Sequence, residues 1–98
     1  MAAVLYKRIR VGRAYIRAYR IRLLEKNLLV LVGKKGYIMC GYLDMSTAEK
    51  FGEVAVRVAG VSSIDDVLES SVAAASTAAQ RLGILPGQPV RQVLVRLV

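Results

Sequence analysis

Strand-like apolar runs alternate with short turn sequences through the first 43 residues of the chain. Val, Ile, Leu and Tyr dominate the runs, and turns are indicated at Gly12, at Glu25-Lys26 and at Lys34-Lys35. Because none of these turns is long enough for a crossover helix, successive strands are expected to be antiparallel. We therefore predict a four-stranded antiparallel meander with strands at residues 4–11, 14–24, 27–33 and 36–43.

The third and fourth predicted strands are apolar at nearly every position. Residues 28–32 and 37–40 show no alternation with polar side chains, a pattern typical of strands that are covered on both faces. On the second strand Tyr15, Arg17, Tyr19 and Ile21 would share one face, and neither of its faces is cleanly apolar. We expect the third and fourth strands to be the buried ones.

Helical periodicity replaces strand periodicity after Asp44. The predicted elements are a short helix capped by Asp44 or Ser46, a strand at 54–59, a helix opened by Ser63, an alanine-rich helix over 72–82 ending at Gly83, and a final amphipathic helix from Pro89. The prediction is one α+β domain, 1–98, in which a four-stranded meander plus one further strand is packed by three to four C-terminal helices. Residues 1–43 would be a β-rich cationic oligomerisation region, and 44–98 a mixed region.

The net charge of +8 is concentrated at the N-terminal end. Residues 1–35 hold ten cations and one acid, a net charge of +9, whereas residues 36–98 hold five cations and six acids. Cations without acidic partners attract polyanions, so an anionic partner enters the hypotheses alongside self-association.

Composition excludes several kinds of chemistry. The chain has no histidine, so it forms neither a Ser-His-Asp triad nor a histidine-based metal site, and we predict no cofactor and no metal. No apolar run approaches the length of a membrane span, and the N-terminus does not resemble a secretory signal, so we expect a cytoplasmic protein without membrane contact. The scarcity of Asn and Gln hints at a thermophilic source.

Three segments carry a family resemblance: KGYIMCGYLD at 35–44, GVSSID at 60–65 and TAAQRLGILPG at 77–87. In this order and spacing they resemble the YunC-like family of small bacterial and archaeal proteins of unknown function. The resemblance implies strands followed by helices, an N-terminal sheet region associated with tetramerisation, and no known activity.

Tyrosine and arginine interleave along the first two predicted strands. Such a surface suits an oligomer interface, because arginine stacks on tyrosine between proteins, and it also suits nucleic acid, whose bases stack on aromatic rings. Our leading prediction is a homo-oligomer, with a tetramer preferred; the alternatives are a nonspecific nucleic-acid-binding module and another polyanionic partner. The residues concerned are Tyr6, Arg8, Arg10, Arg13, Tyr15, Arg17, Tyr19, Arg20 and Arg22.

An enzyme built around Cys40 is the third hypothesis, with Asp44, Arg57 and Thr77 as the other catalytic candidates. A thiolate nucleophile needs a nearby cation, helix N-terminus or base. Without histidine, Arg57 or a helix end would have to serve, while Asp44 would oppose ionisation. Since Cys40 lies among apolar residues, we predict an inert core thiol.

Overall fold

The fold is known from a computed structural model that describes residues 3–98; Met1 and Ala2, which begin the predicted cationic region, lie outside the described residues. The strands are β1 Val4–Val11, β2 Ala14–Arg22, β3 Asn27–Val32, β4 Tyr37–Met39, β5 Ala55–Arg57 and β6 Ala74–Ala75. The helices are α1 Met45–Lys50, α2 Ile64–Glu69, α3 Thr77–Arg81 and α4 Val90–Val93, with a 3₁₀ turn at Leu94–Arg96.

All six strands form one sheet in the order of the sequence. Every neighbouring pair is antiparallel except β4 and β5, which are parallel because α1 connects them as a crossover. The α+β class and the antiparallel order of the first four strands are confirmed. The strand count is wrong, since a sixth strand extends the sheet beyond β5.

One side of the sheet, which we call the helix face, packs against α2, α4 and the 3₁₀ turn. Its side chains alternate along each strand, and those of the central strands are fully buried. This single cluster forms the main core, and it fixes which side chains point away from the helices. Its members include Ile16, Ala18, Leu29, Leu31, Ile38, Val56, Val67, Val90 and Val93.

The predicted alanine-rich helix over 72–82 is wrong in its first half. Ala73 N donates to Arg57 O and Ser76 N donates to Ala55 O, both at 2.8–2.9 Å, so this segment pairs with β5 as β6. The hydrogen bonds of a sheet edge outweigh the local helix preference of alanine. The helix begins only at Thr77 and ends at Arg81, with Leu82 as its C-cap. Gly83 follows with a φ of +85°, which confirms the predicted left-handed residue after the helix.

Other predicted elements are displaced at their ends. Strand β4 stops at Met39 rather than at 43, because Leu43 N donates to Cys40 O and closes a turn. Strand β2 stops at Arg22, and the final helix tightens into the 3₁₀ turn after Val93. Within residues 3–98, no helix has the length and apolar character that a membrane crossing requires.

Ser76 joins three elements and is 1% exposed. Its hydroxyl donates to Glu53 O at 2.7 Å and accepts from Ala55 N at 3.0 Å and from Ala79 N at 3.2 Å. The serine therefore caps α3 and also ties that helix to the start of β5.

Replacing Ser76 with alanine should lower the free energy of unfolding by about 1–3 kcal/mol, because two buried N–H groups lose their acceptor. Urea unfolding followed by circular dichroism measures the change. Ser71→Ala, at an exposed serine, is the matched control and should be close to neutral. Equal stabilities of the two variants would contradict the joining role of Ser76.

Candidate functional site

The side of the sheet that points away from the core, which we call the open face, carries most of the tyrosine and arginine pattern. The register pairs Tyr6 with Tyr19, Arg8 with Arg17 and Arg10 with Tyr15, so these six side chains share that face. Arg13 lies in the β1–β2 turn, whereas Arg20 and Arg22 alternate onto the helix face.

An apolar band crosses the middle of the open face. It comprises Ile21 of β2, Leu28, Val30 and Val32 of β3, and Met39 of β4. These side chains are half-buried, although the adjacent residues on the helix face are fully buried. The prediction that the third and fourth strands are covered on both faces is therefore met on one face only within a single chain.

Helix α1 limits the open face at its far end. Ala55 of β5 shares the face of Tyr37 and is fully buried, and α1 contacts β5 with Ala48 buried as well. Nearby, the Tyr37 hydroxyl donates to Glu53 Oε1 at 2.8 Å. Burial, this hydrogen bond and the charge of Glu53 together raise the pKa of Tyr37 to about 12, so the phenol stays protonated at neutral pH.

Two close contacts order the cationic part of the open face. The guanidinium carbon of Arg8 lies 4.7 Å from the centre of the Tyr15 ring, which is a cation–π distance. The rings of Tyr6 and Tyr19 are 5.1 Å apart between centroids and tilted by 46°. The aromatic groups are thus held in place within the chain and remain exposed at their outer surfaces.

Arg20 occupies a different environment from the other strand arginines. It lies on the helix face between Leu5 and Leu29, and its Nε is buried without a hydrogen-bond partner among the described residues. The sequence could not separate Arg20 from Arg17, because that distinction depends on which face is covered.

Cys40 lies in the wall of a pocket of about 490 Å³ at one end of β3 and β4. Three segments line the pocket: 25–27 at the start of β3, 40–42 after β4, and 60–62 before α2. Asn27 Nδ2 donates to Ser62 O at 2.9 Å across it. The thiol itself is 4% exposed, and its sulfur accepts from Leu29 N at 3.5 Å. Cys40 belongs to the main core cluster, as expected for a packed thiol.

The structure does not bring the four catalytic candidates together. Cys40 belongs to the helix-face core, whereas Arg57 pairs with Met39 and therefore points to the open face. Asp44, Arg57 and Thr77 do not line the pocket that contains Cys40. Arg57, the side-chain cation considered as a partner for a thiolate, is consequently on the other side of the sheet.

Asp44 and Thr77 serve helix ends. Asp44 caps α1, where hydrogen bonds from the Ser46 and Thr47 hydroxyls, at 2.7 and 2.8 Å, lower the pKa of its carboxyl group. Thr77 donates from its hydroxyl and its backbone N–H to Glu49, both at 2.6 Å, and these bonds lower the pKa of Glu49. Both arrangements stabilise local structure, and neither Asp44 nor Thr77 lines the pocket of the thiol.

Sequence reasoning missed the pocket and the Glu49–Thr77 contact. The pocket combines loops that are distant in the chain, and nothing in their composition indicates that they meet. Glu49 lies 28 positions before Thr77, so only the placement of α1 beside α3 reveals their contact. In residues 3–98, no three cysteine, aspartate or glutamate side chains cluster closely enough to hold a metal ion.

Because Cys40 is packed in the core, we expect a thiol reagent to label the native protein at least about tenfold more slowly than the denatured protein near neutral pH. Stopped-flow labelling with a disulfide reagent measures both rates. If the native protein reacts faster, the thiol is activated and the core interpretation fails. A short model peptide with one cysteine provides the reference rate.

Comparisons with known proteins agree with the family that the three sequence motifs resemble. The model of the family described as a domain of unknown function (DUF1805) matches residues 39–97, which leaves β1–β3 outside the matched range. The uncharacterized protein YunC of Bacillus subtilis (strain 168) is 35% identical over 85 residues, covering 83% of this chain and 84% of that protein.

A solved structure is also similar over nearly the whole chain. The crystal structure of a protein of unknown function from Thermoplasma acidophilum has a TM-score of 0.93 and 41% sequence identity, covering 97% of this chain and 93% of that one. With the family model matching more than half of the chain, the resemblance stated from the three motifs is confirmed: the chain belongs to the DUF1805 family of YunC-like proteins.

Proposed function

We propose that the protein works as a homo-oligomer that is assembled through the open face of its sheet. The relatives that it matches are described as uncharacterized or of unknown function, so the proposal concerns assembly and assigns no reaction. The observation that carries it is the apolar band, whose side chains lie on the uncovered side of the central strands.

Area and chain length both favour covering this band. Each Å² of apolar surface removed from water contributes about 25 cal/mol, so five aliphatic side chains on one flat face favour association with a second such face. A chain of 98 residues also has a limited core of its own. Leu24, 99% exposed in the β2–β3 turn, extends the apolar surface beyond the strands.

The face is a better interface than the free edge of β1. The outer half of β1 carries Lys7, Arg8 and Arg10, and cations on an edge strand oppose pairing with another edge. At the start of β1, Val4 is 51% and Tyr6 48% exposed, and both extend the open face beside the apolar band, where Val4 pairs with Ile21. We prefer a tetramer among the possible assemblies, because the family resemblance implies an N-terminal sheet region associated with tetramerisation.

Replacing Val30 with lysine should weaken self-association by at least about tenfold, since an interface would have to bury an unpaired ammonium group. Multi-angle light scattering across micromolar concentrations measures the mass of the particle. The matched control is Val95→Lys, at a residue 62% exposed on the 3₁₀ turn, which should assemble as the parent chain does.

Two results would contradict the proposal. One is a parent protein that is monomeric at micromolar concentration, and the other is a Val30→Lys variant that keeps the parent mass. Circular dichroism of both variants shows whether the chain is still folded, so that a loss of mass is not confused with a loss of structure.

A further inference from the structure

The end of the β1–β2 hairpin presents a compact group of exposed cations on the open face. We call Arg8, Arg10, Tyr15 and Arg17 the cationic corner; Arg13 in the adjoining turn lies next to it. All of these residues are exposed. The apolar band adjoins the corner on the same face, since Arg17 pairs with Val32, and the corner occupies the end of the face at the β1–β2 turn.

No carboxylate in the described part of the chain, residues 3–98, forms an ion pair with the arginines of the corner. Strands β1 to β4 contain no aspartate or glutamate. Within residues 3–98 the ion pairs are Lys7 with Asp65 and Arg91 with Glu69, so the three arginines of the corner have no carboxylate at ion-pair distance there. Arg8 and Arg17 are even direct partners across the strands, an arrangement that is destabilising until an anion lies between them.

The two faces of the hairpin differ in this respect. On the helix face, α2 supplies the Asp65 carboxylate to Lys7 at 3.6 Å. On the open face, the nearest ordered partner of the Arg10 side chain is the backbone, since Arg10 Nε donates to Gly12 O at 3.0 Å. The exposed cations of the corner therefore favour binding of an anionic molecule on the open face.

The aromatic rings in and beside the corner indicate which kind of anionic molecule it would bind. Tyr15 is 46% exposed, and one side of its ring already faces the Arg8 guanidinium. Tyr6 is also exposed and lies two residues before Arg8 on the same face of β1. Bases of a single strand stack on aromatic and guanidinium planes, whereas a duplex keeps its bases stacked inside and presents phosphates. An acidic polypeptide would use the cations but carries no bases to stack on the tyrosines.

We propose that the cationic corner binds single-stranded nucleic acid without sequence preference, with phosphates on Arg8, Arg10 and Arg17 and a base on Tyr15. This binding goes beyond self-association, and it needs the residues of one chain only. It is therefore testable whether the protein is a monomer or a tetramer.

Fluorescence anisotropy of the full chain with a labelled 20-nucleotide single strand, at salt concentrations from 50 to 200 mM, tests the proposal. The expected Kd lies on the order of 10⁻⁴ to 10⁻⁶ M near physiological salt, tighter than for a duplex of the same sequence. A plot of log K against log salt has a negative slope, whose magnitude is about 0.7 for each phosphate contact with a single strand. The triple variant Arg8→Gln, Arg10→Gln, Arg17→Gln removes three contacts, so the magnitude of its slope should be smaller by about 2.

The matched control removes the same charge elsewhere, by Lys26→Gln, Lys34→Gln and Lys50→Gln at exposed lysines outside the corner. It should change the affinity by less than about threefold, because distant charges are screened at these salt concentrations. Tyr15→Leu, which keeps the charge, should weaken single-strand binding by at least about fivefold and leave the salt slope unchanged.

Any of three results would overturn the proposal: equal affinities for single strand and duplex, equal losses in the two triple variants, or no effect of Tyr15→Leu. Binding of polyglutamate as tight as that of the single strand would also overturn it and indicate an acidic protein partner instead. Light scattering of each variant in the same buffer separates a change in binding from a change in assembly.

Discussion

Burial of one face of the sheet beneath α2 and α4 is the constraint on which the rest of this structure depends. Ile16, Leu29, Leu31 and Ile38 belong to one core cluster, and none of them is exposed to solvent. Because side chains alternate strictly along a strand, fixing these residues toward the helices fixes their neighbours toward the other side. A slip of one residue would bury Arg17 and expose Leu31, which no packing of the helices could repair.

The same alternation explains what the sequence could and could not predict. The bounds of β1 agree with the prediction, since Gly12 and the β-branched residues around it mark that strand clearly. Strand β6 was missed because alanine favours a helix locally, whereas the free edge of β5 decides its structure in the fold. The separation of Cys40 from Arg57 was beyond sequence reasoning, since it depends on the parallel pairing of β4 with β5.

Three of the residues that the sequence suggested as catalytic have structural roles in the fold. Cys40 packs in the core, Asp44 caps a helix, and Thr77 holds Glu49, so each has a structural task that its position explains. The tyrosine and arginine residues remain candidates for binding a partner, because six of the nine share the open face. The apolar band and the cationic corner on that face suit two different partners, one a second copy of the chain and the other a polyanion.

The central claim is that the apolar band of the open face is uncovered in one chain and covered in the assembly. The most direct test places a single cysteine at Val30 in a chain where Cys40 is replaced by alanine, and measures its labelling rate as protein concentration rises. We predict that labelling slows as copies associate, while a cysteine placed at Val95 reacts at a constant rate. If the cysteine at position 30 reacts equally fast at every concentration, the open face is not the surface through which the chains associate.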